Sequence, residues 1–170
     1  MRWSELFDDL EAQMSRAERE AFEVEVRERA DAERAAVTLG AVIAASAGDA
    51  VRVTVADGTT IDGVVADAAA QWLSVTRGGA DTLIPQSAIS VLEGPRTAAP
   101  EPGPVQRRLS LGHALRALAA DGAPVVIHAR GASVRGTIVG VGADYVVVEA
   151  LGARRTVPFA AVLTVAPARD

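Results

Sequence analysis

From residue 50 onward the apolar positions stop recurring every three or four residues and begin to alternate. Val51, Val53 and Val55 interleave with Arg52, Thr54 and Ala56, the period of a strand with one buried face. The same reasoning predicts further short strands over 59–66, 72–77, 81–84 and 88–92. Asp57-Gly58, between the first two, is a tight-hairpin signal, because the glycine accepts a positive φ without steric cost. In TLIPQSAISV, residues 82–91, Pro85 falls between the last two strands. Its fixed φ suits a tight turn there, and its missing N–H deprives no ladder of a donor.

Ahead of residue 38 the pattern is helical. Trp3, Leu6, Phe7, Leu10 and Met14 mark one face of an amphipathic helix. Ser15 and Glu18 form a capping-box pattern, which ends that helix near Gln13 and starts a second at Arg16. The second segment carries opposite charges four residues apart, at Arg16/Glu20, Arg19/Glu23, Glu23/Arg27 and Glu25/Arg29. Its apolar marks, Phe22 and Val26, leave a charged stretch between Arg27 and Arg34. Residues 1–37 therefore read as a helical hairpin or one long helix. Trp3, Phe7, Leu10, Met14, Phe22 and Val26 are its candidate self-association surface.

The chain from residue 38 is an internal repeat. A shift of 72 carries Leu39, Gly40 and Ile43 onto Leu111, Gly112 and Leu115. A shift of 73 carries Gly58, Ile61, Gly63 and Trp72 onto Gly131, Val134, Gly136 and Tyr145. The same shift takes Pro85 to Pro158, so that TVPFAAVLTV, residues 156–165, repeats the proline break. Each unit reads as one helix followed by five short strands. The second helix has Ser110 as N-cap, Leu111, Leu115 and Leu118 on one face, and Gly122 as its stop. Pro124-Val-Val-Ile127 and Tyr145-Val-Val-Val148 are nearly continuous apolar runs and predict strands buried on both faces. Between the units, four prolines and two glycines within residues 94–108 mark a semi-extended linker. The resulting division is 1–37, 38–94, a linker at 95–109, and 110–168.

Gly48, Val51, Val53, Asp57-Gly58, Gly63, Leu73, Val75, Leu83-Ile84 and Ile89 follow in this order, and Gly122, Val125, Gly131, Gly136, Val146, Val148, Val157 and Val162 follow it again. This layout resembles the Sm-like barrel of Sm and Hfq-type proteins, with much in common with SH3-like barrels. The resemblance implies an α+β, mostly β, fold of two bent five-stranded barrels, each preceded by a helix. It also implies that nucleic-acid contacts, where relatives make them, come from an asparagine of the third-strand motif and an Arg-Gly pair in the last break. Here those places hold Trp72 and Tyr145, and Pro85-Gln-Ser87 and Pro158-Phe-Ala160. The family's RNA-reading residues are missing from both units, while Trp72 and Tyr145 are either core aromatics or surfaces for stacking on bases.

Composition narrows the chemistry. The 170 residues carry a net charge of −5, contain no cysteine, and include 17 basic residues, all arginine. Disulfides and thiolate metal sites are thereby excluded, and the absence of a signal-like or membrane-spanning apolar run predicts a cytoplasmic protein. The charge is graded, at −5 over residues 1–46, −3 over 47–97 and +3 over 98–170. An acidic whole disfavours strong phosphate-backbone binding, while the basic last third keeps it open through Arg130, Arg135, Arg154 and Arg155. His113 and His128 have no local carboxylate partner, and Gly140-Val-Gly142 leads into a strand rather than a helix. The sequence thus points to a non-catalytic protein without cofactor, metal or small-molecule substrate. It would act by protein interaction or self-assembly, with a homo-oligomer or another protein as partner. The alternative is a nucleic-acid-associated regulator using the basic second unit.

Overall fold

A computed structural model describes residues 22–32, 34–95 and 109–168. By its internal contacts the chain divides into 1–38 and 39–170. In the first part, helix α1 covers residues 22–32 and continues at 34–35. Arg27 reaches Glu23 at 3.2 Å and Arg34 reaches Asp31 at 2.5 Å, both pairs solvent-exposed. Phe22 and Val26 are exposed on this helix, whereas Trp3, Phe7, Leu10 and Met14 lie outside the described residues.

The second part is α+β and mostly strand. Helix α2 (Leu39–Ala44) precedes β1 (Ala50–Val55), β2 (Thr60–Ala69), β3 (Trp72–Arg77), β4 (Ala80–Pro85) and β5 (Ile89–Glu93). Helix α3 (Leu111–Ala120) precedes β6 (Pro124–Ala129), β7 (Ala132–Val141), β8 (Tyr145–Ala150), β9 (Ala153–Pro158) and β10 (Val162–Pro167). One helix and five strands thus occur twice. Among the described residues, no helix is long and apolar enough to cross a membrane.

Local chemistry explains the element ends. Gly58 takes φ +86° in the first hairpin, and the Asp57 carboxylate accepts the Thr59 amide at 2.9 Å across the same turn. Ser110 caps α3 by accepting the His113 amide at 3.3 Å, and Gly122 follows the helix at φ +63°. Pro85 and Pro158 are the last residues of β4 and β9, each leading into one turn of 3₁₀ helix, Gln86–Ala88 and Phe159–Ala161. The second strand runs further than its alternation predicts, to Ala69, because a bulge between Val65 and Asp67 bends it and lets pairing continue to Ala69 opposite Trp72. Gly63 on β2 and Gly136 on β7 let the next strand's backbone approach closely: an added Cβ would collide with the carbonyl oxygens of Thr76 and Glu149.

All ten strands join one open antiparallel sheet in the order β5-β1-β2-β3-β4-β10-β6-β7-β8-β9. Where the sequence-based expectation has two bent five-stranded barrels, the structure has, at this level, one continuous open sheet with two cores. The first core gathers Ile43, Val53, Leu73, Val75 and Ile84, and Leu163 of the second repeat enters it. The second gathers Leu115, Ile127, Val146, Val148 and Val165, and Ala69, Trp72 and Leu83 of the first repeat enter it. Each core therefore borrows side chains from the other repeat, so the repeats are packed as one body.

The apolar runs at β6 and β8 are not buried on both faces. Val146 and Val148 are buried while Tyr145 and Glu149 are exposed, and β6 alternates likewise. A run of valines satisfies a one-sided strand as readily as a two-sided one, since valine favours the pleated backbone in both.

Candidate functional site

The seam between the repeats is where the chain builds its most specific surface. β4 and β10 pair antiparallel with Val165 opposite Leu83, and both side chains lie in the second core. On β3, residues alternate between the first core (Leu73, Val75) and the seam (Trp72), because successive side chains leave opposite faces of a strand. The Trp72 indole Nε1 donates to the Leu109 carbonyl at 3.2 Å, and the Leu111 amide donates to Gln71 Oε1 at 3.2 Å. These two bonds moor the start of the second repeat to the first.

Beside the seam lies an apolar cleft of about 450 Å³. Trp72, Leu83, Leu118, Val125 and Val165 line it, with the carboxylates of Asp67, Asp81 and Asp121 among its polar groups. Asp81 is engaged by the Thr76 hydroxyl.

A second hollow, of about 440 Å³, lies where the two proline breaks meet. Pro85-Gln86-Ser87 and Pro158-Phe159-Ala160 face it together with Gln71, Leu111 and Asp144. The breaks are tied identically: Gln86 N donates to Gln71 O at 2.8 Å, and Phe159 N donates to Asp144 O at 2.7 Å. This is where the resemblance places RNA contacts. Among the described residues lining it, the ionisable side chain is an acid, Asp144, which would repel a phosphate.

The four arginines singled out from sequence are spread over the second repeat. Arg130 follows β6 at the hairpin, Arg135 lies on β7 opposite Val126, and Arg154 and Arg155 are consecutive on β9. Arg154 pairs with Glu149, and Arg155 with Val148, so these two neighbours leave opposite faces of the sheet. Arg135 and Arg154 share a face, with Glu149 on the strand between.

Trp72 and Tyr145, equivalent in sequence, differ in fate. Trp72 is 6% exposed and Tyr145 42% exposed. The difference follows from position: α3 and β10 cover the Trp72 face, and the Tyr145 face lies at the end of the sheet. Sequence reasoning left open whether the two units pair, and Leu83 and Val165, whose counterparts are Thr156 and Leu92, carry no local signal of the seam. The sequence matches no protein-family model and no curated protein.

Proposed function

We propose that this chain is a non-catalytic tandem of two Sm-like, SH3-like units that works by protein contact, as an interaction or self-assembly module. The observation that carries this reading is the seam. One repeat binds the other by adding β10 to the β4 edge, and the counterparts of those two strands, β5 and β9, end the sheet. An unpaired strand edge presents a row of main-chain donors and acceptors, the basis of recognition by strand addition.

Photo-crosslinking tests it. A photoreactive phenylalanine analogue placed at Val91 in β5 or at Thr156 in β9 of the full chain is expected to give protein adducts in cells, and none at Val64 on the sheet's outer face. Equal labelling at all three positions, or none at the edges, contradicts the reading.

A second reading rests on Arg135 and Arg154 sharing one face of the second repeat. It predicts that the full chain binds RNA or DNA with an affinity that falls log-linearly with salt, and absence of binding at about 50 mM salt ends it.

A further inference from the structure

We infer that the apolar cleft beside the seam binds an organic ammonium ion with an apolar body. The inference goes beyond the edge contacts proposed above and stands without them. The cleft opens where two strands diverge. β4 stays paired with β3 back to Ala80, and β10 stays paired with β6 on to Pro167. The two strands meet each other at one residue pair, Leu83 with Val165. The next partners in that register would be Thr82 with Ala166 and Asp81 with Pro167, and Pro167 has no N–H to donate. Asp81, Ala166 and Pro167 instead line the cleft.

Floor and rim call for the two halves of one ligand. Trp72, Leu83, Val125 and Val165, all members of the second core, give the cleft its apolar floor. Its volume of about 450 Å³ lies within the range of small-molecule sites. The rim holds Asp67 on β2, Asp81 on β4 and Asp121 at the C-cap of α3, all three exposed. Among the described residues that line the cleft, no side chain is basic. Asp67 accepts the Ala68 amide at 2.8 Å and Asp81 accepts the Thr76 hydroxyl, and neither donor carries a neutralising charge.

These acids are not a requirement of the repeated fold. The counterparts of Asp67 and Asp81 in the second repeat are Gly140 and Arg154, and the same strands form around them. Asp121 stands at the negative end of the α3 dipole, where a carboxylate is disfavoured and a bound cation is stabilised. An apolar floor under three carboxylates therefore selects a cationic head on an apolar body, and rejects the same body with an anionic head.

The test uses the full chain carrying W3F, which leaves Trp72 as its sole indole. The probes are 4-phenylbutylammonium and 5-phenylpentanoate, which share one apolar body and differ in the sign of the head. At equal ionic strength the ammonium is expected to change Trp72 fluorescence saturably, and to bind about tenfold or more tightly than the carboxylate. D67N and D121N should each weaken ammonium binding about threefold, and D67N/D121N about tenfold. E149Q, on β8 and outside the cleft, removes one negative charge equally and should leave binding unchanged. A117F, which fills the cleft from α3, should abolish it. Thermal melts of each variant separate lost binding from lost folding.

Equal affinity for the two probes overturns the inference, as does the absence of a saturable response to either. Ammonium binding that persists undiminished in folded A117F or folded D67N/D121N places the ligand elsewhere and overturns it too.

Discussion

Trp72 and Tyr145 hold one place in two copies of one unit, so their truncations separate folding from docking. Trp72 fills the seam and its Nε1 is bonded to the Leu109 carbonyl, so Trp72→Ala is expected to cost about 3–5 kcal/mol of stability. Tyr145→Ala in the dilute protein should cost much less, about 1 kcal/mol, because its ring rests on Gly142 and is otherwise open to solvent on one side. Denaturant unfolding of both variants at low concentration checks this pair. Glycine behaves in the opposite sense. Gly63→Ala inserts a methyl group into the Thr76 carbonyl oxygen, and is expected to destabilise by about 1–3 kcal/mol through overpacking. Asp57 adds a pH dependence. Hydrogen bonds from Thr59 hold its carboxyl below the usual carboxylate range. A carboxylate with a depressed folded-state pKa stabilises the fold above its unfolded-state pKa and ceases to do so as the pH falls through the folded value. Asp57→Ala should therefore be less stable than the parent at neutral pH, and the gap should close in acid, as thermal melts across pH will show.

At the scale of elements, β4 and β9 are the same strand in different company. Leu83 of β4 is enclosed by β3 and β10, and Thr156 of β9 is exposed at the sheet's end. Leu83→Lys buries a charge within the second core and should unfold the chain or remove several kcal/mol of stability. Thr156→Lys should leave the melting temperature nearly unchanged while blocking the edge, because an exposed lysine is a device by which natural edges resist pairing. Much of this layout was legible from residues. Gly58, Gly63, Pro85 and their partners Gly131, Gly136 and Pro158 announce turns and bends through backbone constraints that are local, so one sequence suffices to read them. The pairing of β4 with β10 was not legible. It joins residues far apart in the chain, and no local pattern distinguishes a strand paired on both sides from one paired on a single side. The valines of β8 illustrate this, reading as doubly buried while Tyr145 and Glu149 are exposed.

For the whole molecule, the repeats are bound into one sheet with interlocking cores, and the same arrangement leaves the counterparts of its internal interface uncovered. The candidate surface is therefore a consequence of repetition. A chain that pairs its own repeats through β4 and β10 leaves the counterparts of those strands, β9 and β5, at the ends of its sheet. Composition is one ground of the non-catalytic proposal, since an acidic, cysteine-free chain with scattered histidines offers little catalytic material. It did not foreshadow the surface, which depends on which face of β3 or β8 has a neighbour. The most direct test is multi-angle light scattering of the full chain across micromolar concentrations, beside Thr156→Lys. The account predicts a mass above that of the 17.5 kDa monomer that rises with concentration and falls to the monomer in the variant. A strict monomer for the parent chain, or an oligomer that Thr156→Lys does not disturb, would contradict it.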